Sequence, residues 1–201
     1  VSSHFMESFE EKEWLNKDEG SFLEFFKNFL NQEKATSKPL EFLNLFNGLK
    51  NLSFTHCVEV NEEELEKIRS LGATINHCAT SNRFLTNSRL NLDNLEDIPF
   101  SIATDGLSSN NSLSMFDELR ACLFIHYEKD IVKFSKTLLN CATVNGAKAL
   151  GANKGRLQSG FDADIIGFYL LDNIEDIEDI YMHIILHTKY VDNIIIGGEY
   201  V

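Results

Sequence analysis

Apolar residues recur at three- and four-residue spacing through FLEFFKNFL (22–30) and PLEFLNLFNGL (39–49), so residues 8–50 are expected to be helical and amphipathic. Gly20 and the ATSKP stretch (35–39) interrupt this pattern and divide the helices. The period then changes. LSFTHCV (52–58) is a short apolar run rich in β-formers. Asn61, with Glu64 three residues on, offers a capped start to the charged helix NEEELEKIRSLG, which Gly72 stops. ATINHC (73–78) reads as the next strand, followed by a polar loop and the short NLDNLED stretch. PFSIATD (99–105) reads as a third strand and SLSMFDELRACLFIHY (112–127) as a helix, with further helices over 130–140 and 143–150. Strand, crossover and strand in succession imply an α/β fold with a parallel sheet and helices outside it. Beyond Gly151 the texture shifts. GRLQSGFDADIIGFYLL and KYVDNIIIGGEYV are β-branched and Gly-punctuated, as in a small antiparallel β element.

Composition narrows the function classes. With 201 residues, 43% of them apolar, the chain can bury a substantial core. A net charge of −13 argues against nucleic acid and anionic membrane surfaces, whose phosphates are bound by clustered Lys and Arg. No apolar run is long enough to cross a bilayer. Cys57, Cys78, Cys122 and Cys141 lack CxxC spacing and lie in apolar contexts. They are expected to be buried reduced thiols, which fits a cytoplasmic setting.

The polar residues fall in an informative place. Each strand-like run ends in a group able to bind a metal or move a proton: His56 at FTHC, His77 at INHC, Asp105 at IATD. His4 joins them if VSSHF is itself a strand. In parallel α/β sheets the carboxyl ends of the strands form the ligand-binding face. Imidazole and carboxylate groups converging there suit a Zn²⁺-type hydrolytic site. Plainer readings stand beside this one. A lone strand-end His is often structural, and Glu7 alone could be the first acid of a helix, where the macrodipole favours it. His183 and His187 in HIILH have helical metal-pair spacing but no HExxH glutamate, so packing or surface roles are expected of them. His126 reads as an ordinary helix residue, and NIEDIEDI (173–180) as a solvated face or helix start. SSNN after Asp105 could cap the next helix or place ligands from the rim.

In order along the chain, HFMES (4–8), THCVEVNEEEL (55–65), GATINHCATSN (72–82), ATDGLSSNNSL (103–113) with DELR (117–120), ATVNGAKALG (142–151) and GRLQSGFDADI (155–165) resemble the amidohydrolase superfamily, in its chlorohydrolase and aminohydrolase branch. The resemblance implies the C-terminal half of a (β/α)₈ barrel (strands 5–8) over residues 1–151, and part of an appended β-sandwich over 152–201. It implies metal ligands at His4 and Asp105, and catalytic roles for Glu7 (proton shuttle), His56 (orienting water or substrate) and Asp105 (accepting the water's proton). His77, Ser81, Asn82, Ser108 and Asn110 are expected to contact substrate. Ala79 stands where the family pattern usually has Pro.

The implied cofactor is one divalent metal, zinc with iron as the alternative. The implied reaction is deamination of an adenine-type nucleoside with release of ammonia. HFMESFEEKEWL and SNRFLTNSRL look most like enzymes acting on 6-amino-6-deoxyfutalosine in menaquinone biosynthesis. S-adenosylhomocysteine or methylthioadenosine deamination is the rival, with guanine and chlorotriazine hydrolysis further off. The family's HxH pair occurs nowhere in this sequence, and a complete barrel takes about 250 residues. The remaining strands and ligands are therefore expected upstream, so the upstream half of the same protein is the expected partner, and a homodimer is compatible. The competing expectation is a fragment that lacks catalysis by itself.

Overall fold

The computed structural model describes residues 1–170 and 174–201. Four strands, β1 (Ser2–Phe5), β2 (Ser53–His56), β3 (Thr74–His77) and β4 (Phe100–Ile102), pair in parallel in that order. The register sets Phe5 beside His56, Thr55 beside Asn76, and His77 beside Ile102, so the carboxyl ends of all four strands meet along one rim. Between them run α1 (Phe9–Lys17), α2 (Ser21–Leu30), α3 (Pro39–Asn44), α4 (Glu62–Ser70) and α5 (Ala79–Thr86). After β4 come α6 (Met115–Ile125), α7 (Ile131–Asn140), a π-helical turn (Cys141–Asn145) and α8 (Gly146–Leu150).

The two faces of the sheet are chemically distinct. On one, Phe5, Phe54 and Ile75 enter an apolar core with Leu43, Leu65 and Ile68 from the helices. The other carries small polar groups linked across strands: Ser101 Oγ donates to Asn76 Oδ1 at 2.7 Å, and Asn76 Nδ2 to Thr55 Oγ1 at 3.0 Å. A groove of about 660 Å³ follows this face past Ser2, Ser53 and Asn76 to Asp105.

Helix α4 begins as its sequence predicts. The Asn61 side chain accepts the Glu64 amide at 2.9 Å, and Glu64 returns the bond to the Asn61 amide at 2.9 Å. Helix α5 occupies what reads in sequence as a polar loop. Cys78 gives it no capping oxygen; instead Glu118 of α6 accepts the Thr80 amide at 3.0 Å. A helix end satisfied by a residue thirty-eight positions away leaves no local signal.

The expected small β element is present. Strands β5 (Ile165–Gly167), β6 (Asn193–Ile196) and β7 (Glu199–Tyr200) form an antiparallel sheet, and Gly197 and Gly198, both at positive φ, turn β6 into β7. Helix α9 (Ile180–His187) packs back against α6 and α7, with Ile185 fully buried. The acidic run precedes this helix, except that Asn173 lies outside the described residues. All four cysteines are free and buried, as expected. Burial raises their thiol pKa values, that of Cys141 to about 12. Among the described residues no helix is long and apolar enough to cross a membrane.

Candidate active site

The rim where the strands end is built from residues in an uncommon backbone state. Met6, His56, Cys57 and Asp105 all have positive φ, between 51° and 73°. For residues other than Gly this costs roughly 1–3 kcal/mol each, and it turns the chain sharply out of the sheet. The surrounding bonds hold these turns. The Glu11 carboxylate accepts the amides of Met6 at 2.9 Å and Glu7 at 2.7 Å, while Cys57 and Glu59 amides donate to the Phe5 and Met6 carbonyls. Ser8 then caps α1.

These turns bring His4, Glu7 and His56 together, with one ligand atom from each lying within 4.8 Å of the others. The His4 and His56 rings meet edge to face at 5.0 Å. His56 is wholly buried, and its Nδ1 lies 2.7 Å from Asn82 Oδ1. That oxygen can only accept, so Nδ1 carries the proton and Nε2 presents a lone pair. The lone pair has no hydrogen-bond partner in the described structure; Glu7 Oε1 stands 3.6 Å away.

Asp105 stands at the far end of the rim with one oxygen gripped twice. Ser81 Oγ donates to its Oδ2 at 2.8 Å and Ser109 Oγ at 2.7 Å. Partial burial pushes the carboxyl pKa up. Donation from Ser109, Ser81 and the Gly106 amide, with the nearby His56, outweighs this and holds it below the usual range.

Most of the residues expected to touch substrate make hydrogen bonds within the fold. Ser81 and Asn82 are wholly buried, with Ser81 serving Asp105 and Asn82 serving His56. Asn110 donates to the Thr104 carbonyl at 2.7 Å and to Glu118 Oε2 at 2.9 Å, bracing the loop. His77 is also buried, and its Nε2 meets His126 Nε2 at 3.0 Å, beneath the rim. Burial, with the neighbouring His126 and His56 rings, lowers its pKa to about 3, so the ring is neutral. Of that group only Ser108 is exposed. His183 and His187 stack on each other at 5.3 Å along α9.

Sequence reading missed Ser109, His126 and Glu118. Ser109 sits beside the favoured Ser108, in a loop with no periodicity to separate them. His126 is the C-cap of α6, and only the fold brings it to His77.

Comparison with known proteins identifies the family. The amidohydrolase family model matches residues 1–201. An aminodeoxyfutalosine deaminase of a Nitratiruptor species is 47% identical over 199 residues, covering 99% of this chain and 49% of the relative. An adenosine deaminase of Helicobacter pylori is 35% identical over 206 residues, covering 99% and 50%. The crystal structure of Helicobacter pylori aminofutalosine deaminase in complex with methylthio-coformycin superposes with a TM-score of 0.89 at 34% identity, covering 100% of this chain and 50% of that one. The chain thus spans about half the length of the relatives it matches, and its four parallel strand units are half of a (β/α)₈ barrel. By the family model's match over residues 1–201, the chain belongs to the amidohydrolase family.

Proposed function

We propose that this chain supplies half of the active site of a metal-dependent deaminase acting on an adenine-type nucleoside, with 6-amino-6-deoxyfutalosine as its substrate. The observation that carries this reading is the convergence of His4, Glu7 and His56 at one rim. The substrate assignment leans on the aminodeoxyfutalosine deaminase relative. Residues 1–151 form the barrel part in this reading and 152–201 part of an appended β domain. The buried reduced thiols suit a cytoplasmic enzyme.

The donor set fits a divalent cation. His4 offers an imidazole nitrogen within reach of Glu7 and His56, and Asp105 a carboxylate on the same rim; nitrogen and oxygen donors of this kind are those zinc takes. In this reading His4 and Asp105 hold the ion. Catalytic zinc normally has three protein ligands, so at least one more comes from the other half of the barrel, and the chain alone is inactive. When bound, such an ion acidifies a water toward neutrality.

The chain's own residues handle the protons. Asp105, steadied by two serine hydroxyls, takes a proton from the attacking water. His56 accepts a hydrogen bond from that water through Nε2, with its tautomer set by Asn82. Glu7 delivers its proton to the ring nitrogen as the carbon bearing the amino group is attacked, recovers one from the added hydroxyl and passes it to the amino group, which leaves as ammonia; the proton held by Asp105 then restores Glu7. General acid–base help of this kind is worth about 10²–10⁴-fold. Ammonia release from adenine nucleosides by the complete barrel, before and after metal removal by a chelator, tests the reading. Loss on removal and recovery on adding zinc are expected; a rate indifferent to metal refutes it.

A further inference from the structure

We infer that Glu118, on α6, is a positioning residue that locks the Asp105 loop to helix α5; this inference rests on the deaminase reading. Glu118 is 1% exposed, and no ion pair involves it among the described residues. Its two oxygens face two donors. Oε1 accepts the Thr80 amide at 3.0 Å, and Oε2 accepts Asn110 Nδ2 at 2.9 Å.

Those donors are the roots of the two segments that meet at Asp105. Asn110 also donates to the carbonyl of Thr104 at 2.7 Å, immediately before Asp105. Thr80 immediately precedes Ser81, whose hydroxyl donates to Asp105 Oδ2 at 2.8 Å. The path from Asp105 through Ser81, Thr80, Glu118, Asn110 and Thr104 back to Asp105 therefore closes on itself. Asp105 sits at φ +59°, a state its own backbone does not favour, and this ring helps hold it there. The next residue of α5, Asn82, fixes the His56 tautomer, so Glu118 braces both ends of the rim without touching substrate.

A carboxylate is required because both partners donate. In Glu118→Gln one oxygen becomes an NH₂ group that confronts a donor, breaking one link while keeping volume and burial. Outer residues that orient metal ligands typically cost about 10–100-fold in metal affinity or activity when changed.

The test uses the complete barrel and two readouts, zinc retention in competition with a chelator and steady-state ammonia release. Glu118→Gln is expected to weaken zinc retention about tenfold and to lower kcat about tenfold, with KM within about threefold. Adding Ser81→Ala should then cost little more, since both cut the same ring. Asn110→Ala, which opens the ring from the other side, should reproduce the effect and serves where Glu118→Gln does not fold. Folded variants with zinc retention and kcat unchanged overturn the inference, as do Glu118 and Ser81 effects that multiply independently. A wild type that holds zinc but deaminates nothing refutes the deaminase reading alone, and the retention readout still decides the role of Glu118.

Discussion

The Nε2 atom of His56 lies 3.6 Å from Oε1 of Glu7 and has no hydrogen-bond partner among the described residues. His56 is locked from behind by Asn82, whereas Glu7 is half-buried at the start of α1, where the turn at Met6 aims it across the rim. One partner is fixed and the other is accessible, which suits a stationary acceptor and a carboxyl that exchanges protons with substrate. Glu7→Gln keeps the shape and removes the proton transfer. In the complete enzyme kcat should fall about 10²–10⁴-fold with metal content unchanged. Activity near wild type, measured beside metal analysis, refutes the shuttle role.

Asn82 controls which nitrogen of His56 is free. Replacing it by Ala leaves a buried Nδ1–H without its acceptor, which costs about 1–3 kcal/mol of stability. The unpinned tautomer should lower kcat about 10–100-fold. Urea denaturation and kinetics on one preparation check both halves; a loss of stability with full activity would show that the tautomer is unimportant.

Adjacent serines make a sharper contrast. Ser109 is buried on Asp105, whereas Ser108 is exposed. Ser109→Ala should reduce kcat about tenfold, while Ser108→Ala should change neither kcat nor stability appreciably, unless Ser108 contacts the nucleoside, in which case KM alone rises. Equal kcat losses in both would contradict the assignment of Ser109 to Asp105.

The neutral His77 makes stability depend on pH. Its folded pKa is about 3 against an ordinary 6.5, with the His126 ring, the Cys122 thiol and the His56 ring around it. Below pH 6.5 the unfolded chain binds a proton that the folded chain refuses. The stability linked to this ring is therefore full above the unfolded pKa and lost as pH falls toward the folded one. The slope is about 1.4 kcal/mol per pH unit within that window. His77→Gln removes this component, so denaturation midpoints from about pH 6 down to about pH 4 should fall less steeply in the variant. Parallel slopes would show that His77 titrates normally.

The features legible in the sequence share a physical cause. His4, His56 and Asp105 are readable because an apolar strand that stops at a polar residue fixes where that residue sits, on the carboxyl edge of a parallel sheet. Asn61 and Glu64 are readable because a capping box is local. Glu118, Ser109 and His126 act through partners reached only after folding, or stand in loops where neighbouring residues look equivalent. Helix α5 belongs to that second group, since its amino end is satisfied by Glu118 rather than by a residue of its own. The bonds of Ser81 to Asp105 and of Asn82 to His56 belong to it as well, since both join segments more than twenty residues apart.

The most direct measurement is kcat/KM for ammonia release by the metal-loaded complete enzyme, on 6-amino-6-deoxyfutalosine and on S-adenosylhomocysteine side by side. Both carry the same adenine ring, so release from each is expected. The expected preference is for 6-amino-6-deoxyfutalosine by about tenfold or more, a difference of about 1.4 kcal/mol in transition-state binding. No ammonia from either nucleoside, with the metal in place, would contradict the deaminase reading.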